Sequence, residues 1–172
     1  MKRGVVIDTS VARSAGGRRA ADGRAAACKD ALEMVRREKL LAVISAALLE
    51  EYRRQAKMSL FFRQWLAWMT DKERLWPVDG KPHRPTRAAA QQLLPPDRQK
   101  AVEKDLHLVG AALASDRRVL SGDDRMREDL RALTAEVRAL TKVHWANPEA
   151  AGCLDWLSRA APDDRAWQLG PR

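Results

Sequence analysis

Val5-Val6-Ile7 runs without a polar break into Asp8, and Thr9 and Ser10 follow directly. An apolar run with no alternation suits a strand covered on both faces, as in a parallel sheet. Asp8 then stands at the strand's carboxyl end, where open α/β sheets place their sites. The same Asp8-Thr9-Ser10 also reads as the cap of a following helix, and the run alone does not decide between the two.

The rest of the chain alternates helices with apolar runs. Residues 12–24 read as a loop, with Ser14, Gly16, Gly17 and Gly23 among Arg13, Arg18, Arg19 and Arg24. A helix is predicted over Ala25–Lys39 and a buried strand over Leu40–Ile44. Ser45 can cap a helix near 46–57 that turns Leu48, Leu49 and Tyr52 inward. Residues 59–70 form an apolar helix whose stripe of Phe61, Phe62, Trp65, Trp68 and Met69 suits the core. If that stripe is too wide to bury, it marks an interface. Leu75–Val78 suits an edge strand because it contains Pro77.

Lys81–Arg87 is a basic turn with His83 and Arg84, followed by a helix over 86–94 that Pro95-Pro96 closes. Helix resumes from about Asp97 to Ser115. Arg118–Ser121 then reads as a strand, Asp124–Glu136 as a helix and Leu140–Trp145 as a last strand. The pattern predicts an α/β fold, a parallel sheet with helices on both faces. It divides into a domain over 1–148 and a tail over 149–172 that packs on the domain or on a partner.

Lys and Arg outnumber Asp and Glu by 32 to 23, a formal charge of +9. That favours a polyanionic partner. No signal-peptide pattern precedes Asp8, and no apolar run approaches the ~18 residues of a membrane span, so a soluble cytoplasmic protein is predicted. Cys28 and Cys153 have no metal-ligand spacing and read as small buried side chains.

With 23 acidic residues, a site has to be chosen by position. Glu50 has Arg53 and Arg54 three and four places on, the spacing of solvent-facing pairs. Glu51 lies between the directions of Leu48 and Tyr52, toward the sheet, where an unpaired charge needs a partner. Asp105 sits one turn before Leu108 and Val109 on the buried side of its helix, although it also suits a helix start. Asp123 follows a strand as Asp8 does, whereas Asp124 suits the N-cap of the next helix.

Asp8, Glu51, Asp105 and Asp123 would form a four-carboxylate cluster. Carboxylates ~4 Å apart repel by several kcal/mol at intermediate dielectric, so cations or protons must neutralise them. Oxygen-only ligands suit Mg2+ or Mn2+. Such ions orient a phosphodiester, acidify a water and stabilise charge on a leaving oxygen. A basic chain with an acidic metal pocket reads as a nuclease. Thr9 and Ser10 would position a water or phosphate oxygen. Arg13, Arg18, Arg19 and Arg24 would hold phosphates, unless their loop is simply solvated. Arg84, beside His83, is a further candidate contact with RNA. His107, two residues after Asp105, reads as structural in preference to a contact with a phosphate or metal, and His144 takes a strand position.

Val5-Val6-Ile7-Asp8-Thr9-Ser10-Val11 resembles the opening of PIN-domain nucleases. Ser45-Ala46-Ala47-Leu48-Leu49-Glu50-Glu51-Tyr52 is similar to that family's second motif, with its glutamate before an aromatic residue. Asp105 with its Ala-rich helix, and Val119-Leu120-Ser121-Gly122-Asp123, resemble the third and fourth acidic motifs. The resemblance covers about residues 4–145. It implies an α/β/α sandwich around a parallel sheet of four or five strands, and Mg2+- or Mn2+-dependent hydrolysis of RNA. It also implies an antitoxin protein as partner, where the chain is the toxin of a bacterial toxin–antitoxin pair, and a homodimer. The alternatives are a catalytically silent RNA-binding module on the same fold and a DNA-directed nuclease.

Overall fold

A computed structural model describes residues 3–16, 23–54 and 59–170. Strand β1 (Gly4–Ile7) is buried along its whole length, as its unbroken apolar sequence requires. It lies at the centre of an all-parallel sheet of five strands among the described residues. The other four are β2 (Leu41–Ile44), β3 (Leu75–Pro77), β4 (Arg118–Leu120) and β5 (His144–Ala146). Their order is β3-β2-β1-β4-β5.

In this order the chain winds outward from β1 to β3, then crosses back over β1 to β4. The order reverses between β1 and β4, which by the rule for open α/β sheets puts the ligand crevice there, outside the carboxyl ends of the strands. Val6 pairs with Val119 and Ile7 with Leu120, so Asp8 and Ser121 emerge side by side at the crevice.

The helices divide between the two faces, because right-handed crossovers put outward and returning connections on opposite sides. α1 (Thr9–Ser14), α2 (Gly23–Arg37), α3 (Ala46–Arg54) and α4 (Leu60–Asp71) belong to the outward half. α5 (Arg84–Leu93), α6 (Pro96–Leu113) and α7 (Asp124–Ala132) belong to the return. Together the helices and sheet make a three-layer α/β/α sandwich.

Several boundaries differ from the sequence reading. Residues 9–14 are helical, so the predicted loop starts later. Val11 and Ala12 are fully buried there, and their burial outweighs the flanking glycines. α5 begins at Arg84, since Pro85 in the first turn has no N–H to lose. α7 ends at Ala132, and a short 3-10 turn over Arg138–Lys142 takes the place of the first part of the predicted last strand.

The aromatic stripe of α4 is core. Phe62, Trp65 and Met69 are at most 3% exposed, and Trp65 donates its indole N–H to the Leu32 carbonyl at 2.8 Å. Burying a side chain such as Phe62 contributes about 1.5–3 kcal/mol. Phe61 and Trp68 flank the core, each beneath a cation, Lys29 and Arg36, at 5.4 Å.

Residues 149–170 are built into the same core. α8 (Cys153–Ser158) packs on α2, and Trp156 is fully buried, stacked against His144. The chain then returns along β5. Trp145 N–H donates to the Trp167 carbonyl and Leu169 N–H to the Val143 carbonyl, both at 2.9 Å. Arg118, 4% exposed, ties this return down through the Ala161 carbonyl and Asp163. No helix among the described residues is long and apolar enough to cross a membrane.

Candidate active site

Asp8 occupies the N-cap position of α1, but its side chain makes no capping bond. Its carbonyl accepts from Val11 and Ala12, which leaves the carboxylate free to turn into the crevice. There Ser10 and Ser121 each donate a hydroxyl to Oδ2 at 2.6 Å. Each serine hydroxyl also accepts a backbone N–H, Ser10 from Gly122 at 3.0 Å and Ser121 from Asp123 at 3.1 Å. The β4 turn thus reaches Asp8 through two hydroxyls, and the side chain is not a helix cap.

Glu51 faces inward on α3 while Glu50 faces solvent and pairs with Arg54 at 3.1 Å. Both oxygens of Glu51 are engaged. Thr9 donates to Oε1 at 2.9 Å, and His107 Nε2 meets Oε2 at 2.9 Å. His107 Nδ1 lies 3.2 Å from the Lys104 carbonyl. A ring between two acceptors suits the doubly protonated form. Burial opposes that charge, but the bond to Glu51 and its negative charge prevail and raise the His107 pKa. The bond from His107 in turn holds Glu51 below the usual carboxylate range, against burial and with help from Thr9.

The Asp105 carboxyl accepts no hydrogen bond among the described residues. Burial pushes its pKa up to about 6, and the charges of Asp8 and Glu51 add to the effect while Lys104 opposes it. Burial, with the same two carboxylates, also keeps the Tyr52 phenol protonated as it donates to the Ile7 carbonyl. Asp8, Glu51 and Asp105 are therefore electrostatic neighbours, brought together from three elements.

Asp123 is not gathered in the same way. It is exposed at the rim, and it caps α7 by accepting the Met126 N–H at 2.8 Å. The sequence reading gave that cap to Asp124, which instead accepts from Asn147 at 2.9 Å. Adjacent aspartates cap equally well by composition, and only the backbone turn distinguishes them.

Arg13 lies in the last turn of α1 and Arg84 begins α5, both exposed; neither pairs with these carboxylates among the described residues. Arg18 and Arg19 lie outside the described residues. Arg24, predicted in the loop, is instead the second residue of α2, where it reaches the turn after β4. Its guanidinium lies so close to Gly122 that a Cβ there would stand 2.6 Å from it. Arg24 also faces Glu149 at 3.8 Å.

The sequence reading left Ser121 and His107 out of the site. Ser121 sat inside the fourth motif, but the helical position of His107 gave no sign that it would meet Glu51.

Among the described residues, no three Asp, Glu, His or Cys side chains stand at the spacing of a formed metal site. The donor set still fits a hard divalent cation in kind and in charge. It offers carboxylate oxygens alone, and Asp105 is a half-buried acid on which the charges of the other two act. Comparisons with family models, curated proteins and solved structures find no match to this chain.

Proposed function

We propose that this protein is a divalent-metal-dependent endoribonuclease, with Asp8, Glu51 and Asp105 as ligands of Mg2+ or Mn2+ and Asp123 at the rim. The observation that carries this reading is the approach of Asp8 and Glu51 to one hydroxyl, that of Thr9, at 3.3 and 2.9 Å, with the half-buried Asp105 close enough for both charges to act on it. A carboxylate crowded by like charges is relieved by a cation. The formal charge of +9 and the four motifs resembling PIN-domain nucleases support the choice of an RNA substrate.

Bound ions would supply Lewis acidity toward a phosphodiester and a more acidic water. The chain's own residues prepare the site. Ser10 and Ser121 orient Asp8, Thr9 donates to Glu51 with its hydroxyl 3.3 Å from Asp8 Oδ1, and Arg24 and Arg13 offer positive charge toward a phosphate. The reaction class leaves a 5′-phosphate and a 3′-hydroxyl. The toxin of a toxin–antitoxin pair is the cellular role that the resemblance suggests.

The test is cleavage of a single-stranded RNA by the purified chain in Mn2+ or Mg2+, with EDTA as control. Activity should appear only with the ion, and Glu51→Gln should reduce it far more than Glu50→Gln. Cleavage unaffected by EDTA would overturn the metal reading.

One observation favours a second reading, a catalytically silent RNA-binding module. His107 already balances the charge of Glu51 without any ion. A Mn2+ titration separates the two, since a silent module has no need to bind the ion.

A further inference from the structure

His107 lies outside the set of carboxylates, yet it makes the most defined contact in their neighbourhood. Its Nε2 meets Glu51 Oε2 at 2.9 Å, while Thr9 holds Oε1 at the same distance from the opposite element. The ring is itself anchored, with Nδ1 at 3.2 Å from the Lys104 carbonyl of its own helix. The pair is largely shielded, with side-chain exposures of 13% for His107 and 22% for Glu51. A bond in such a setting is weakened less by solvent than a surface ion pair.

Each carboxylate oxygen accepts about two hydrogen bonds, so these contacts leave acceptor capacity on both. They restrict rotation of the carboxylate about its last torsion, which is otherwise broad. Glu51 would thus approach a cation already oriented beside Asp8 and Asp105. A ligand held in this way loses less entropy when the ion binds.

We propose that His107 is a positioning residue for Glu51, fixing the orientation of that carboxylate for a divalent cation. The inference rests on reading Asp8, Glu51 and Asp105 as ligands of that cation. A merely structural latch between α3 and α6 would affect stability and leave ion affinity alone, and this difference defines the test.

The test uses the full chain and Mn2+ alone, with affinity read by calorimetry and melting temperature measured separately in EDTA. His107→Leu should weaken Mn2+ binding by about 10- to 100-fold, the usual effect of losing a partner behind a metal ligand. His107→Gln, which returns an N–H donor without the charge, should restore affinity to within about threefold of wild type. Glu50→Gln, on the solvent face, should leave affinity unchanged. If His107→Leu fails to melt cooperatively, His107→Asn takes its place, being too short to reach Glu51.

Wild-type affinity in a folded His107→Leu or His107→Asn protein would overturn the inference while sparing the metal reading. Failure of His107→Gln to restore binding would overturn it too, by showing that charge matters and position does not. A wild-type chain that binds no Mn2+ would overturn both.

Discussion

Ser121 donates its hydroxyl to Asp8 Oδ2 at 2.6 Å across 113 residues of sequence. The bond joins the ends of β1 and β4, the two strands between which the chain reverses direction across the sheet. Because the Ser121 hydroxyl also accepts the Asp123 N–H, one fully buried oxygen holds both the acid and the turn beyond it.

Ser121→Ala should therefore destabilise the fold by about 1–3 kcal/mol, since it leaves a buried acceptor and a backbone donor without this partner. Urea denaturation measures the loss. A change below about 0.3 kcal/mol would mean that water replaces the hydroxyl at no cost.

Asp8→Asn should abolish divalent-dependent RNA cleavage and leave the fold intact. The amide keeps one oxygen to accept a hydroxyl but removes a charge that acts on Asp105. The Asp105 titration, followed by NMR without metal, should accordingly move down. Wild-type cleavage by the folded variant would remove Asp8 from the site.

The raised Asp105 pKa makes a signed prediction for metal-free protein. The folded state holds this proton more tightly than the unfolded chain, whose carboxyl titrates near 3.8. This contribution to stability is complete below that value and is lost as pH rises to about 6. At pH 7 in EDTA, Asp105→Asn should exceed wild type by about 1–2 kcal/mol, a figure discounted for partial exposure. At pH 4 the two should nearly coincide. Equal stability at both pH values would show that Asp105 is solvated and not crowded by its neighbours.

Gly110 lies on α6 where the 80–81 turn crosses it, and a Cβ there would stand 2.0 Å from the Lys81 carbonyl oxygen. Backbone cannot swing aside as a side chain can, so Gly110→Ala should cost about 2–3 kcal/mol or more. Thermal melting provides the measurement. A neutral result would mean that the turn is free to lift from the helix.

The centre of the sheet was legible because Val5-Val6-Ile7 has only one comfortable setting, covered on both sides. Glu51 was legible from helical phase, since Leu48 and Tyr52 define an inward face beside it. His107 was not, because phase places a residue on its own helix and says nothing about which neighbour it meets. The cap of α7 was misassigned for a different reason. Asp123 and Asp124 have the same chemistry, and the choice depends on backbone angles in the turn. Residues 12–14 were hidden by composition, since the glycines and arginines that follow suggested a loop.

The residues that return along β5 have a consequence for the protein's company as well as for its core. A sheet rim offers unpaired N–H and C=O groups to any other strand. At one rim β3 is three residues long and ends in Pro77, which lacks an N–H to offer. At the other, the backbone bonds of Trp167 and Leu169 occupy positions that a foreign strand would take. Synthesis completes all five strands before it reaches those residues. A released chain that ends just past Asn147 would present an open β5 rim, and its concentration-dependent pairing with a second copy is where that exposure should first be seen.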